Sequence, residues 1–182
     1  MKLSGSLRHT LAGCCLALFP LLFSCQDNKE VADRELPDMA SVSEAFAESN
    51  KQLVAMEEQA IDDFIARFGW DMEKTGSGLR YMIEDEGSSP KASYGRQAVI
   101  NYEKYLITGD PVGSSDEEGP KKFTVGRGGV ISGLEEGILL LGEGGKATFV
   151  MPSFLAYGVP GDGEQIPGRA TLIYRVDVLE IN

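Results

Sequence analysis

The residues best suited to covalent or metal chemistry lie within the first 25 positions of this chain. His9 is the one histidine among 182 residues, and the three cysteines are Cys14, Cys15 and Cys25. Serine–histidine and cysteine–histidine catalytic sites, and most zinc sites, need histidine or grouped cysteines inside the fold that positions them. The body of the chain therefore acts without a histidine, and we expect no bound metal and no cofactor.

The charge of the chain excludes a second class of function. Lysine and arginine number 17 against 28 aspartate and glutamate residues, which gives a formal net charge of -11. Binding to nucleic acid needs a basic face, and no basic cluster is visible in the sequence. With 42% hydrophobic and 25% charged residues, the composition is that of an ordinary globular protein of one or two domains.

The N-terminal residues 1–25 have the pattern of an export signal. Basic residues precede an apolar run at positions 11–23, which is too short and too interrupted for a membrane-spanning helix. The sequence Leu-Phe-Ser-Cys at 22–25 resembles the lipobox of bacterial lipoproteins, although Phe23 stands where a small residue is usual. Acylation of Cys25, for example with palmitate, would anchor the protein to a membrane. The alternative is an ordinary cleaved signal peptide.

An acidic region separates this signal from the rest of the chain. Residues 26–40 are polar and unpatterned, as expected of a flexible tether, and residues 41–75 form a helical segment. Asn50 is the predicted N-cap of an amphipathic helix and Gly69 its C-terminal stop, with a less regular turn or helix at 41–49. Apolar residues recur there at helical spacing: Leu53, Met56, Ala60, Ile61, Phe64, Ile65 and Phe68.

Two interpretations of this apolar stripe are open. It packs onto the body of the same chain, or it pairs with the same helix of a second copy to form a homodimer through residues 41–70.

The region from residue 76 onward is rich in turns and strands. Alternating or apolar runs predict strands at 79–83, 98–106, 122–125, 146–151 and 170–179, with a break at 87–90 and a turn at 108–110. Helical spacing predicts one short helix at 133–141. Successive strands with a single helix indicate an antiparallel α+β domain in which the helix covers one face of the sheet.

Several sequence motifs in this region closely resemble the FK506-binding-protein (FKBP-type) peptidyl-prolyl cis-trans isomerases, in particular their bacterial lipoprotein branch. The resemblance spans residues 76–182. Its motifs are Gly-Leu-Arg-Tyr at 78–81, Val-Ile-Ser-Gly-Leu-Glu-Glu-Gly at 130–137, the glycine turn and strand at 142–149, Pro-Ser-Phe-Leu-Ala-Tyr-Gly at 152–158, and Ile-Pro followed by Ala-Thr-Leu-Ile-Tyr-Arg-Val at 166–176. The order and spacing of these motifs carry the resemblance.

The resemblance implies a half-barrel of antiparallel strands wrapped around the short helix, with an apolar pocket between them. By position, the implied catalytic residues are Tyr157, Ile131 and Tyr102. In the family the Tyr157 hydroxyl and the Ile131 N–H donate to substrate carbonyls. The implied pocket lining is Val112, Val130, Leu134, Ala156, Ile166 and Tyr174. Periodicity alone would place Val130, Ile131 and Leu134 in the core.

Prolyl isomerisation suits a chain without histidine. The reaction breaks no covalent bond, and its barrier of about 18–20 kcal/mol is the loss of amide resonance as the bond twists. A site lowers this barrier by removing water from the amide and holding the twisted form against fixed donors.

Three departures from the family pattern indicate reduced or altered activity and weak macrolide binding. The family commonly has Phe-Asp where this chain has Val112-Gly113, and Gly113 cannot supply the carboxylate. Asp110 and Asp116 are the two candidates to replace it. Leu134 takes the place of a tryptophan, which opens the pocket. Lys121 falls on an aromatic wall position.

These observations lead to a prediction and two alternatives. We expect a lipid-anchored isomerase of the bacterial cell envelope, periplasmic or on the outer membrane, that assists folding of proline-containing exported proteins. The alternatives are a weakly or non-catalytic chaperone that kept the proline-binding pocket, and a protein serving a secretion or motility apparatus.

Overall fold

The computed structural model describes residues 38–182 and begins with a long helix, α1, at Met39–Phe68. Its end matches the prediction: Gly69 has a φ of +64°, its N–H donates to the Ala66 carbonyl, and the Trp70 N–H donates to the Ile65 carbonyl. These two hydrogen bonds form a Schellman motif. The predicted N-cap at Asn50 is wrong, because Asn50 lies inside α1. Alanine and glutamate on its N-terminal side sustain the helix, and a single asparagine costs less than about 1 kcal/mol.

Several predictions concern residues that precede this region. The signal at 1–25, the lipidation site Cys25 and the tether up to residue 37 lie outside the described residues. Within 38–182, no helix is both long enough and apolar enough to cross a bilayer.

Within residues 38–182, seven strands form the main antiparallel sheet: β1 Glu73–Lys74, β2 Arg80–Asp85, β4 Gln97–Leu106, β5 Pro111–Ser114, β6 Lys121–Thr124, β8 Lys146–Met151 and β9 Leu172–Ile181. The sheet runs in the order β1-β2-β8-β9-β4-β5, and β6 also pairs with β4. A second, two-stranded sheet pairs β3 Ser88–Lys91 with β7 Gly142–Glu143.

A short helix, α3 at Ser132–Ile138, packs on the main sheet and buries Leu134 and Ile138. Gly137 allows the close approach, because a Cβ there would lie 2.8 Å from the Phe149 ring of β8. The inward residues of β4, among them Ile100 and Tyr102, join this helix in one hydrophobic core. The predicted antiparallel α+β half-barrel around one helix, preceded by an N-terminal helix, is confirmed.

Helix α1 packs on the outer face of the sheet through only part of its predicted stripe. Ile61 is fully buried against Val150 and Ile173. By contrast, Leu53 and Met56 are exposed. Phe64 and Ile65 are partly covered by the same cluster, whereas Phe68 at the end of the stripe is 58% exposed. Within residues 38–182 the sheet therefore covers only the middle of the stripe.

Most of the very short elements were not predicted, although the strand predicted at 122–125 is β6 at Lys121–Thr124. Strand β1 lies in the expected helical segment, β3 lies in the expected break at 87–90, and a four-residue helix, α2 at Ser115–Glu118, follows β5. Elements of two to four residues carry little periodicity, so sequence patterns reveal few of them.

Candidate functional site

A cavity of about 280 Å³ opens between α3, the loop before it and two elements of the sheet. It brings together five of the residues predicted for the pocket: Val130, Ile131, Leu134, Tyr157 and Tyr174. Lys121, Gly128 and Gly129 complete the lining. The lining therefore mixes apolar side chains with polar groups, and a ligand site combines apolar surface with a few placed polar groups in this way.

Ile131 is the residue from which α3 starts. Its backbone is extended, with φ -61° and ψ 148°, and its carbonyl accepts the N–H groups of Leu134 and Glu135. Its own N–H makes no hydrogen bond to any group within residues 38–182. A free donor in the lining of the cavity is available to a ligand carbonyl.

Two tyrosines contribute hydroxyl groups to the lining, in addition to the side chain of Lys121. Tyr157 follows the 3-10 turn Ser153–Leu155 and is half-buried, whereas Tyr174 of β9 is 2% exposed. Burial raises the pKa of the Tyr174 hydroxyl, and its neighbour Tyr157 raises this pKa further. The Tyr174 hydroxyl therefore stays protonated at neutral pH. A tyrosine hydroxyl can donate a hydrogen bond, so both side chains offer a donor to a ligand.

Tyr102 lies behind the cavity wall rather than in its lining. Its ring stacks on Tyr174, with 6.0 Å between the ring centroids, and its hydroxyl donates to Glu118 Oε2 at 2.7 Å. The ammonium groups of Lys104 and Lys121 each lie 5.4 Å from the centroid of the Tyr102 ring. Burial and the hydrogen bond to Glu118 raise the pKa of the Tyr102 hydroxyl.

The carboxylate of Glu118 occupies the space beside Gly113. A Cβ built on Gly113 would lie 2.4 Å from Glu118 Oε1, and the φ of +139° at Gly113 also disfavours a side chain. Glu118 pairs with Lys104 at 3.2 Å, and the hydrogen bond from Tyr102 together with this ammonium holds the pKa of Glu118 below its usual value. A carboxylate therefore stands beside Gly113, the position at which this chain lacks the carboxylate of the family pattern.

Neither of the two aspartates suggested as substitutes takes this place. Asp110 accepts the hydroxyl of Thr108 in the turn before β5, and Asp116 lines a separate polar depression. Sequence reasoning missed Glu118. Several acidic residues lie between β5 and β6, and the sequence does not show which of them packs beside Gly113.

The remaining predicted pocket residues are placed in the core. Val112 and Ile166 are buried, Ala156 packs against the same hydrophobic cluster, and none of the three lines the cavity. Alternation along a strand or turn shows that a residue is buried, but not which wall of a pocket it forms.

A larger cavity of about 530 Å³ lies on the other face of the sheet, between α1 and β9. Ile173 and Arg175 line it, and they flank Tyr174 and point to the opposite side of the strand. It contains none of the predicted site residues. Across residues 38–182, no group of three or more histidine, cysteine or acidic side chains is placed to hold a metal ion.

Comparisons with known proteins agree with this geometry. Residues 88–179 match the family model described as FKBP-type peptidyl-prolyl cis-trans isomerase. A probable FKBP-type peptidyl-prolyl cis-trans isomerase of Haemophilus influenzae is 36% identical over 147 residues, which are 79% of this chain and 59% of that protein. An FK506-binding protein of Neisseria meningitidis serogroup B is 39% identical over 103 residues, 55% of this chain and 94% of that protein.

Among solved structures, the crystal structure of FkpA from Escherichia coli superposes with a TM-score of 0.62 at 24% identity, over 85% of this chain and 78% of that one. The chain spans 59% of the length of the Haemophilus protein. It spans 48% of the length of a probable FKBP-type peptidyl-prolyl cis-trans isomerase FkpA of Neisseria meningitidis serogroup B. The matched residues include both ends of the cavity lining, from Lys121 to Tyr174. The fold, the cavity and these matches together show that the chain belongs to the family of FKBP-type peptidyl-prolyl cis-trans isomerases.

Proposed function

We propose that the protein is an active peptidyl-prolyl cis-trans isomerase that acts on proline-containing segments of exported proteins. The observation that carries the proposal is the cavity in which Val130, Ile131 and Leu134 face the Tyr157 hydroxyl. The free N–H of Ile131 adds a second donor to the same cavity.

The proposed mechanism needs no covalent intermediate. The prolyl ring enters between the apolar side chains, where water is excluded and the partial double bond of the amide is weakened. The Tyr157 hydroxyl and the Ile131 N–H donate to carbonyls on either side of the proline. Both donors are fixed before the bond twists, so they stabilise the twisted form without further reorganisation. No cofactor takes part.

Glu118 supports full rather than reduced activity. The predicted weakness was the missing carboxylate at Gly113, and the Glu118 carboxylate fills that space beside the buried Tyr102. We propose that Glu118 holds Tyr102 in place behind Tyr174, and that Tyr102 in turn supports Tyr174 in the lining of the pocket.

A protease-coupled assay with a prolyl peptide, on the protein lacking residues 1–25, tests the proposal. Removing the Tyr157 hydroxyl in Tyr157→Phe should lower kcat/KM about tenfold, since a hydrogen bond of about 1–1.5 kcal/mol is lost. Ile131→Ala should lower it by removing an apolar wall. The matched control is Tyr94→Phe, because Tyr94 is 76% exposed and lies outside the cavity lining. A wild-type rate equal to the uncatalysed rate would overturn the enzyme proposal.

A non-catalytic chaperone is the second candidate, and exposed apolar side chains on α1 favour it. Phe46, Leu53 and Met56 are 72%, 41% and 68% exposed. Such side chains can bind unfolded segments independently of proline. If this candidate is right, the protein will suppress aggregation of an unfolded client while Tyr157→Phe leaves that suppression unchanged and no isomerase rate is measurable.

We further propose that the same α1 residues form a homodimer contact. Phe46, Leu53 and Met56 are separated by seven and three positions, so they lie on one side of the helix. Light scattering should show the dimer mass for the wild type and the monomer mass for Leu53→Glu combined with Met56→Glu. A monomeric wild type would exclude this contact.

We propose, finally, that Cys25 carries a lipid anchor in the bacterial cell envelope. The support is the apolar run followed by Leu-Phe-Ser-Cys at 22–25. Cells labelled with radioactive palmitate should incorporate label into the wild type and not into Cys25→Ser, while Cys14→Ser should behave as the wild type. An unlabelled, cleaved wild type would instead support an ordinary signal peptide.

A further inference from the structure

A glutamate in the middle of α1 binds the loop that carries Tyr157. Glu57 Oε1 accepts the backbone N–H of Ser153 at 2.6 Å and the hydroxyl of Thr171 at 2.7 Å. Glu57 Oε2 accepts the hydroxyl of Ser153 at 2.8 Å. Ser153 and Thr171 are both buried, so these three donors have little access to water.

Ser153 is the residue on which the Tyr157 loop closes. Its carbonyl accepts the N–H of Ala156 at 3.0 Å and the N–H of Gly158 at 2.8 Å. These two donors stand immediately before and after Tyr157. The backbone on both sides of the tyrosine is therefore tied to one residue, and Glu57 holds the other polar groups of that residue.

Thr171 extends the same contact to the opposite wall of the cavity. It immediately precedes β9, which carries Tyr174 three residues later. Its carbonyl also accepts the N–H of Ile107. One carboxylate thus joins the loop of Tyr157 to the start of the strand of Tyr174.

The position of Glu57 is itself fixed by its neighbours on α1. Glu58 and Asp62 bind the guanidinium of Arg80 at 2.8 Å and 2.7 Å, and Ile61 is fully buried. These contacts prevent the helix from sliding along the sheet. The backbone of α1 that carries Glu57 is consequently held in place, and this fixes the position from which its carboxylate reaches Ser153.

From these contacts we propose that Glu57 is a positioning residue for Tyr157, and that α1 is therefore part of the isomerase site. The proposal rests on the proposed isomerase function. Tyr157 is useful only where its hydroxyl meets the substrate carbonyl, and a displacement of about 1 Å in such a group can reduce a rate by up to 100-fold. Without the Glu57 carboxylate, the N–H and hydroxyl of Ser153 lose their acceptors and the loop relaxes.

Two substitutions at this position separate positioning from simple stabilisation. Glu57→Ala removes every acceptor and should lower kcat about tenfold with little change in KM. Glu57→Gln keeps an oxygen for the Ser153 N–H and the Thr171 hydroxyl, and its amide NH2 can donate to the Ser153 hydroxyl oxygen. Glu57→Gln should therefore keep kcat within about twofold of the wild type.

Two controls accompany these variants. Glu48→Gln removes a charge from the exposed part of α1, where Glu48 accepts a long hydrogen bond of 3.4 Å from Gln52. Ile181→Ala empties part of the core at the far end of β9, where Ile181 is 4% exposed, and lowers stability without touching the loop. Both should keep the wild-type kcat at a temperature where all the variants are folded.

Amide hydrogen exchange gives a second readout that does not depend on activity. In Glu57→Ala, the amides of Ala156 and Gly158 should exchange at least tenfold faster than in the wild type, whereas Glu57→Gln and Ile181→Ala should leave their rates relative to the core unchanged. Unchanged exchange at these amides in Glu57→Ala would overturn the positioning role. A loss of kcat in Ile181→Ala as large as that in Glu57→Ala would also overturn it. A wild type without isomerase activity would overturn the proposed function alone, since the exchange measurement still decides whether Glu57 orders the loop.

Discussion

Removing the carboxylate of Glu118 tests how the wall of the pocket is built. Tyr102 is 2% exposed, and its hydroxyl has Glu118 as its hydrogen-bond acceptor. The Glu118→Ala substitution leaves that hydroxyl buried without this acceptor. It also removes the counter-ion of Lys104, whose side chain is 9% exposed.

The expected loss of stability follows from these contacts. A hydrogen bond to a charged acceptor contributes about 1.5–3 kcal/mol to the free energy of unfolding. The low end applies because the Glu118 side chain is 46% exposed and partly screened by water. We therefore expect Glu118→Ala to lower the free energy of unfolding by about 2 kcal/mol and Tyr102→Phe to lower it by about 1 kcal/mol.

The double variant measures whether the two groups act together. Once the Tyr102 hydroxyl is absent, Glu118→Ala strands no buried donor at that position. The combined loss should therefore be smaller than the sum of the single losses by about 1 kcal/mol. Urea unfolding of the four proteins gives this coupling energy directly.

The same four proteins should show the effect on catalysis. If Tyr174 shifts because Tyr102 behind it is no longer held, stabilisation of the twisted amide falls by about 1.4 kcal/mol, which is a tenfold lower kcat/KM for Glu118→Ala. Glu117→Ala is the control, because it removes an exposed carboxylate from the neighbouring position. Additive free energies, or a kcat/KM for Glu118→Ala equal to that of the control, would refute the reasoning.

The dependence of the free energy of unfolding on pH in the acid range provides an independent check on the role of Glu118. The pKa of Glu118 is lower in the folded protein than its ordinary value of 4.5. Its stabilising contribution is therefore complete above pH 4.5 and is lost as the pH falls through the folded pKa. Compared with the wild type, Glu118→Gln should lose less stability between neutral pH and acid pH.

Further predictions concern groups around the site. Tyr174→Phe should flatten the loss of stability above pH 10, because the pKa of Tyr174 is raised on folding and its stabilisation is lost as the pH rises; an unchanged alkaline limb in urea unfolding would contradict this. Arg80→Met should lower the free energy of unfolding by about 3 kcal/mol, since it breaks a buried pair with Glu58, and Arg96→Met is the exposed control. Gly113→Ala should cost about 1–3 kcal/mol through its positive φ and its contact with Glu118, and wild-type stability of that variant by thermal unfolding would contradict the geometry.

Much of the fold followed from local patterns. The strand predicted at 98–106 is β4 at Gln97–Leu106, and the predicted helix at 133–141 contains most of α3. Long alternating runs are reliable because a shift of one residue would turn every apolar side chain to the wrong face. The extent of α1 was not predictable, because helix propensity continues smoothly through Asn50 and no local signal marks its start.

The candidate site was only partly visible in the sequence. Motif positions placed Ile131, Leu134 and Tyr157 in the same cavity, whereas Val112 and Ile166, also suggested by the motifs, are buried but are not among the residues that line it. A motif records which residues recur together, whereas a pocket depends on which side chains leave space between them.

The sequence by itself determined the family, the strand and helix pattern and the absence of histidine from the body of the chain, because these depend on residue order and local periodicity. Only the tertiary structure decided that Glu118 fills the space beside Gly113 and that Glu57 binds Ser153. Both are contacts made by glutamates in an acidic chain that offers many such residues. Local sequence does not show whether a glutamate carboxylate is solvated or accepts a hydrogen bond from a buried donor. The answer depends on the donor, and the donor comes from a different part of the chain.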